Sequence, residues 1–223
     1  MKYTCLALVA FIFSCNTKQQ NENTAATAPA DVLDWYRFSK VDSINPVLQP
    51  SSGEKFLCPV SGDTVSWSEK NVLNPAAVVK DGKVYLLYRS QDSAMTSRLG
   101  LAVSEDGLHF TKMPAPVLFP AEDSRKKYEW KGGVEDPRIV ESETGEFILT
   151  YTSYDGKMAR LCLAVSKDLQ HWTKKGLVLN SEKYKDVWSK SGAIVAEKRS
   201  DKIVAVKVKG KYSVNLRDIP YML

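Results

Sequence analysis

The strongest constraint on this chain is that part of it occurs twice. Leu101-Ala102-Val103-Ser104-Glu105-Asp106 returns as Leu163-Ala164-Val165-Ser166-Lys167-Asp168, and His109-Phe110-Thr111-Lys112 returns as His171-Trp172-Thr173-Lys174. Asn74-Pro75 aligns with Asp136-Pro137. All three matches share one offset, 62 positions. A fixed offset across separated patches marks a duplicated structural unit. Repeat proteins converge polar groups at equivalent places, which singles out Asn74 and Asp136.

Within each unit the apolar residues favour strands. Ala76 to Val79 leads through Lys80-Asp81-Gly82-Lys83 into Val84 to Tyr88, and an Asp-Gly step between two β-rich runs signals a hairpin. The second copy runs from Arg138-Ile139-Val140 through Gly145 to Phe147 to Tyr151. Third strands follow at Leu99 to Ser104 and Leu161 to Ser166, and short fourth strands surround Phe110 and Trp172, which are expected in the core. Four antiparallel strands, repeated, describe a β-propeller blade; a sandwich with two similar hairpins is the alternative. A third unit begins at Ser191-Gly192-Ala193-Ile194-Val195, with Lys202 to Val208 as its second strand, and further strand material is expected between Trp35 and Trp67. The expected fold is all-β: an incomplete propeller with two clear blades plus part of a third, since about four blades are needed to close a ring.

The first residues read as a targeting segment. Lys2 precedes an apolar run from Cys5 to Phe13 that is too short to span a bilayer, and Ile12-Phe13-Ser14-Cys15 resembles a bacterial lipobox. The expected organisation is therefore 1–15 as a lipoprotein signal peptide, 16–30 as a polar tether, and 31–223 as the partial propeller. Lipid on Cys15 would place the mature protein outside the cytoplasm, anchored to a bacterial membrane. Cys58 and Cys162 could pair in that compartment, although Cys162 sits between Leu161 and Leu163 and equally suits a buried thiol. No Cys/His cluster has metal-ligand spacing. His109 and His171 occupy one repeated position before an aromatic residue, which suits a structural role at a turn. The formal charge of +5 is spread along the chain without the aromatic interleaving of a nucleic-acid surface.

The sharpest local motif is Gly132-Gly133-Val134-Glu135-Asp136-Pro137-Arg138. On a regular strand Glu135 and Asp136 point to opposite faces, with Arg138 on the Asp136 side. The plain alternative is a stiff Asp-Pro turn with a surface ion pair. This motif, with Asn74-Pro75 and Tyr88-Arg89 before it and Leu163 to Asp168 and His171-Trp172 after it, resembles glycoside hydrolase family 130. The likeness covers about Asn74 to Tyr212.

That resemblance implies a five-bladed propeller that cleaves β-mannosides with inversion, using Asp136 as the proton donor. It implies that Asn74 and Arg89 hold the mannosyl ring, with Arg98 as a looser candidate. Glu135 and Arg138 join the substrate-binding candidates, and Lys190 would face the cleft near the attacking group. No cofactor is expected; inorganic phosphate would be a co-substrate in a phosphorylase. The sequence departs from the family where phosphate is held, reading Lys190 to Ala193 and Glu197-Lys198-Arg199 in place of an arginine-rich set. This favours hydrolysis over phosphorolysis. Glu197 is the available guess for a second carboxylate, and Ser213 to Asp218 loses strand character. The chain by itself is expected to be poorly active, with negligible cleavage of β-mannosides. The competing readings are a non-catalytic, decayed propeller that binds glycan weakly, and a furanosidase, which would want an Asp where Asn74 stands.

Overall fold

The β-rich runs become strands wherever turn chemistry permits. The computed structural model describes residues 40–217. The expected signal peptide with Cys15, the expected tether and the start of the expected 31–223 domain lie outside these residues. The elements below all fall in the unit that begins at Val41. A two-stranded hairpin, β1 (Ser51–Leu57) and β2 (Thr64–Ser68), enters the repeats.

The first repeat is β3 (Asn71–Lys80), β4 (Lys83–Gln91), β5 (Ser97–Ser104) and β6 (Thr111–Lys112), each antiparallel to the next. The second is β7 (Gly133–Ser142), β8 (Phe147–Tyr154), β9 (Ala159–Ser166) and β10 (Thr173–Leu177), paired in the same way. A short helix, α1 (Lys126–Glu129), lies between them. The first and third strands keep the sequence offset. The second strand slips by one further residue, so that Tyr88 answers Tyr151 and Arg89 answers Thr152. The cause is turn length. β3 and β4 close on Asp81-Gly82, both with positive φ, whereas the Ser142-to-Phe147 connection is longer and uses Gly145 for its positive φ.

Alternation then decides the core. Leu87, Leu99 and Leu101 of the first repeat meet Val134, Leu149, Tyr151, Cys162 and Ala164 of the second in one buried cluster, against which Trp172 packs. Phe110 packs half-buried against a second cluster around Trp67 and Tyr88. Both remaining thiols, Cys58 and Cys162, are buried and free. Burial pushes the Cys162 thiol up to about 11, so it stays protonated and inert.

At the seam the two repeats touch through one parallel pairing, Ser97 with Gly133, and Ser97 N donates to Gly132 O at 2.8 Å. Only glycine fits there. Gly133 has φ +108, and a Cβ on it would stand 2.1 Å from Ser97 O.

Two expectations need correction in the third region. Lys202 to Val208 is not one strand. It divides into β13 (Lys202–Ala205), paired with β12 (Ala196–Arg199), and β14 (Lys207–Val208), paired with β15 (Lys211–Tyr212). Val206 between them donates to Val195 O at 3.0 Å and leaves both ladders. Nor does the stretch after Tyr212 lose strand character. Positive φ at Lys209 and Gly210 reverses the chain, and β16 (Val214–Arg217) runs back along β11 (Lys190–Ile194).

Candidate functional site

The inner strands share one irregularity. On β3 and β7, the four residues from Leu73 to Ala76 and from Glu135 to Arg138 oppose only three on the neighbouring strand, and β11 does the same from Lys190 to Ala193. Each bulge contains a non-glycine residue in the left-handed region: Asn74 at φ 44, Asp136 at φ 47 and Ser191 at φ 58. Asn and Asp tolerate that conformation best, and a bulge is where a strand can hold the proline that follows them. A bulge re-aims its side chain. Here all three residues border one cavity of about 620 Å³, with Pro75, Pro137 and Arg138.

Asn74 Nδ2 donates to Asp136 Oδ1 at 2.6 Å, and Arg89 Nη1 donates to the same oxygen at 3.2 Å. Arg89 Nη2 donates to Glu135 Oε1 at 2.8 Å. Glu135 and Asp136 therefore do share a partner, against the expectation from strand alternation. The bulge at Asp136 breaks the alternation. Asp136 Oδ2 has no hydrogen-bond partner among the described residues. The side chains of Arg89, Glu135 and Asp136 are 16, 13 and 17 % exposed, so the group is mostly shielded yet reachable. Burial holds the Glu135 carboxyl above its usual range. Arg89 and the Ser97 hydrogen bond pull it down, Asp136 pushes it up, and Lys190 pulls it down.

The other candidates separate clearly. Arg138 is exposed, borders the cavity and makes no ion pair among the described residues. Lys190 is exposed at the start of β11, near enough for its charge to act on Glu135.

Arg98 is not in the cleft. It is 1 % exposed and pairs with Asp92 at 2.7 Å, and Arg160 makes the equivalent pair with Asp155 at 2.8 Å in the second repeat. Its role is to staple the turn between the second and third strands. Glu197 stands exposed on β12, bound to Arg199 at 2.6 Å, and does not border the cavity. His109 and His171 also stand apart. Each caps an aspartate at 2.7 Å in the turn before the fourth strand, as their repeated position suggests.

Three residues behind Arg89 escaped the sequence reading: Asn71, Gln91 and Ser97. A signal existed for one of them. Gln91 lies two positions beyond Arg89 on the same strand, so alternation puts it on the same face.

An asparagine and an aspartate at equivalent bulges of a repeated all-β fold thus meet on one arginine beside a single cavity. The model of glycoside hydrolase family 130, described as β-1,4-mannooligosaccharide phosphorylase, matches residues 45–217, and the chain belongs to that family.

Among curated proteins the chain is 32 % identical over 172 residues to a 1,2-β-oligomannan phosphorylase of Thermoanaerobacter sp., covering 73 % of this chain and 50 % of that one. It is 30 % identical over 173 residues to a β-1,2-mannobiose phosphorylase of the same organism, covering 69 and 49 %. Among solved structures, one of glycoside hydrolases of this family that target β-1,2 mannosidic linkages in Candida mannan superposes with a TM-score of 0.78 at 39 % identity. That match covers 81 % of this chain and 53 % of the other. A glycosyl hydrolase from Bacteroides ovatus gives 0.78 at 38 %, covering 82 and 54 %. The chain thus spans about half the length of the relatives it matches. Two of these relatives are named as phosphorylases and two as glycoside or glycosyl hydrolases, so the expected preference for hydrolysis over phosphorolysis is not supported.

Proposed function

We propose that this chain carries the acid side of an enzyme that transfers the mannosyl group of β-linked mannosides with inversion. The ring would be a five-bladed propeller, in which the two four-stranded repeats are consecutive blades. The observation that carries the reading is the one-sided holding of Asp136. Asn74 and Arg89 both donate to Oδ1. A proton on this carboxyl then belongs on Oδ2, which has no competing partner among the described residues. Asp136 borders the cavity, and a proton on that oxygen could pass to a glycosidic oxygen, or to a sugar hydroxyl that relays it.

Arg89 and Asn74 also have donors suited to polyols, since guanidinium and amide groups give directional hydrogen bonds. Inversion needs room on the opposite face for the attacker, and an open cavity of about 620 Å³ supplies it. Arg138 and Lys190, both exposed cations, suit an anionic attacker such as phosphate as well as they suit a hydroxylated aglycone. The relatives' names make β-1,2-linked mannosides the first substrates to try.

The test is turnover of β-1,2-mannobiose by the purified chain, with and without inorganic phosphate, resolving mannose from mannose 1-phosphate. Asp136→Asn is expected to reduce turnover by about 100- to 10,000-fold without unfolding the protein. Near-normal turnover in that variant removes Asp136 from the acid role. A phosphate-dependent product assigns phosphorolysis, and free mannose without phosphate assigns hydrolysis.

The N-terminal sequence supports an exported enzyme tethered through lipid on Cys15, acting on glycans outside the cytoplasm. Cys15→Ala should move it out of the membrane fraction. An unchanged distribution would remove the anchor.

A further inference from the structure

Arg89 holds Asp136, and Arg89 is itself held from behind. Its Nε donates to Ser97 Oγ at 3.0 Å, and Gln91 Nε2 donates to the same oxygen at 3.2 Å. A hydroxyl has two lone pairs and one proton. Two donors fill the lone pairs, so the proton has one direction left: Ser97 Oγ donates to Glu135 Oε1 at 3.1 Å. That carboxylate oxygen also receives Arg89 Nη2 at 2.8 Å, which closes the loop. Gln91 is oriented in turn, because Asn71 Nδ2 donates to its Oε1 at 2.9 Å. Ser97 is fully buried and Gln91 is 3 % exposed.

A guanidinium is planar, and its donors sit in a rigid fork. Fixing Nε on Ser97 and Nη2 on Glu135 fixes the plane, and Nη1 then points at Asp136. Without Ser97, Nε loses its anchor and the guanidinium is held only through its two Nη groups, by the same two carboxylates it is meant to orient.

The sheet does not need this arrangement for packing. At the equivalent place the second repeat has Ala159 in place of Ser97, Thr152 in place of Arg89, Tyr154 in place of Gln91 and Gly133 in place of Asn71. Ala159 is as buried as Ser97 and forms the same strand without a hydroxyl. The polar set thus belongs to the first repeat alone. It also sits at the seam, where Gly133 lets β7 approach Ser97 closely enough for Glu135 and Asp136 to reach Arg89.

Resting on the reading of Asp136 as the acid, we propose that Ser97, oriented by Gln91, is a positioning residue that aims the Arg89 guanidinium at Asp136 across the seam between the repeats. The test uses Ser97→Ala, which the second repeat shows to be compatible with the strand, and Gln91→Met, which keeps bulk but removes the donor.

Hydrogen exchange at the Arg89 Nε–H, followed by NMR, is expected to quicken about tenfold or more in Ser97→Ala, since protection reports the closed population. Turnover of β-1,2-mannobiose should fall about 100-fold, mostly in kcat, as expected when a group near the chemistry is misplaced. Gln91→Met should lie between that variant and the wild type in both measurements. Unchanged exchange at Arg89 Nε overturns the proposal, whatever the turnover. Wild-type turnover in Ser97→Ala beside an inactive Asp136→Asn also overturns it, and leaves the acid reading standing. Full activity in Asp136→Asn overturns the acid reading instead, and exchange at Arg89 alone then decides whether Ser97 positions it.

Discussion

The two repeats share a sheet and differ in what anchors it from behind. In both, the lysine of the fourth strand reaches back to the segment that enters the repeat. Lys112 donates to Gln49 O at 3.0 Å and pairs with Glu54 at 2.5 Å. Lys174 donates to Phe119 O at 2.8 Å and pairs with Glu129. In the second repeat the network goes further, because the Tyr151 hydroxyl donates to Glu129 at 2.9 Å. In the first, the equivalent Tyr88 hydroxyl is buried with no partner among the described residues, and Glu54 Oε2 is likewise unpaired. The cause is visible at the neighbouring strand. Tyr88 leans over Gly100, whose absent Cβ would stand 2.3 Å from its ring, while Cys162 fills the corresponding place beside Tyr151. The strands are duplicated in sequence and the entering segments are not, so each repeat meets its lysine with a different carboxylate.

The sharpest way to break this comparison is at the seam. Gly133→Ala puts a methyl group against Ser97 O in a backbone conformation that disfavours it, and should cost about 4 kcal/mol or more. Asn71 holds the equivalent place in the first repeat, and Asn71→Ala should cost only about 1 kcal/mol, the value of a hydrogen bond. Urea unfolding measures both. Equal losses would mean that the seam does not depend on glycine.

Next in size is the buried anion. Glu129 is wholly buried, and Glu129→Ala leaves Lys174 only the Phe119 carbonyl and a longer pair with Asp123 at 3.5 Å, so it should cost about 3 kcal/mol. Glu54 is 17 % exposed and bonded to one partner, and Glu54→Ala should cost about 1 kcal/mol. The Glu129 effect carries a pH signature. Burial raises its carboxyl above the usual range, and Lys174 and Tyr151 only partly offset this. The folded state therefore holds the proton more tightly than the unfolded chain. That contribution to stability is complete below the ordinary glutamate range and is lost as pH rises through the folded value. A Glu129 contribution that grew with pH would contradict the assignment.

A smaller contrast lies in the tyrosines. Tyr151→Phe removes a made hydrogen bond and leaves Glu129 short of a donor, for about 1–2 kcal/mol. Tyr88→Phe removes a hydroxyl that has no partner, and should be neutral or slightly stabilising. Similar losses for the two variants would show that Tyr88 has a partner in solution, and would erase this difference between the repeats.

How much of this was legible follows from what repeats. The strands could be placed from Leu101 to Asp106 and its copy, and the site's centre from Asn74-Pro75 and Asp136-Pro137, because both patterns recur at one offset. Arg98 was misread because its partner, Asp92, lies across a turn whose length differs between the repeats. The Arg160–Asp155 pair, found by allowing that slip, would have shown a staple in each repeat. The shared target of Glu135 and Asp136 was hidden by the bulge. Alternation assumes a regular strand, and the proline after Asp136 was the local sign that this strand is not regular. The Glu54 and Glu129 anchors had no repeated sequence to reveal them.

The smallest predicted effect tests the comparison where the repeats agree. Asp106 Oδ1 accepts the backbone N–H groups of Leu108 and His109, both at 2.8 Å, and Asp168 Oδ1 accepts those of Gln170 and His171 at 2.9 and 2.8 Å. The histidine ring sits 2.7 Å from Oδ2 in each turn. The His109 ring, then the backbone donors, hold the Asp106 carboxyl well below its usual range. For Asp168, slight burial works the other way and is outweighed by the backbone and ring of His171, with the same outcome. A lowered folded value means that the stabilisation is present above the ordinary aspartate range and is lost as pH falls through the folded value. Asp106→Asn and Asp168→Asn keep an oxygen for the backbone donors but lose the charge, so each should flatten the acid limb of the stability profile, and by the same amount. The effect is small because both turns are open to solvent, where ion pairs are worth little. Denaturant unfolding followed from neutral pH to about pH 3 reads the onset of that loss. If one variant flattened the limb and the other did not, the two turns would not be equivalent, and the divergence between the repeats would extend from their anchors to their rims.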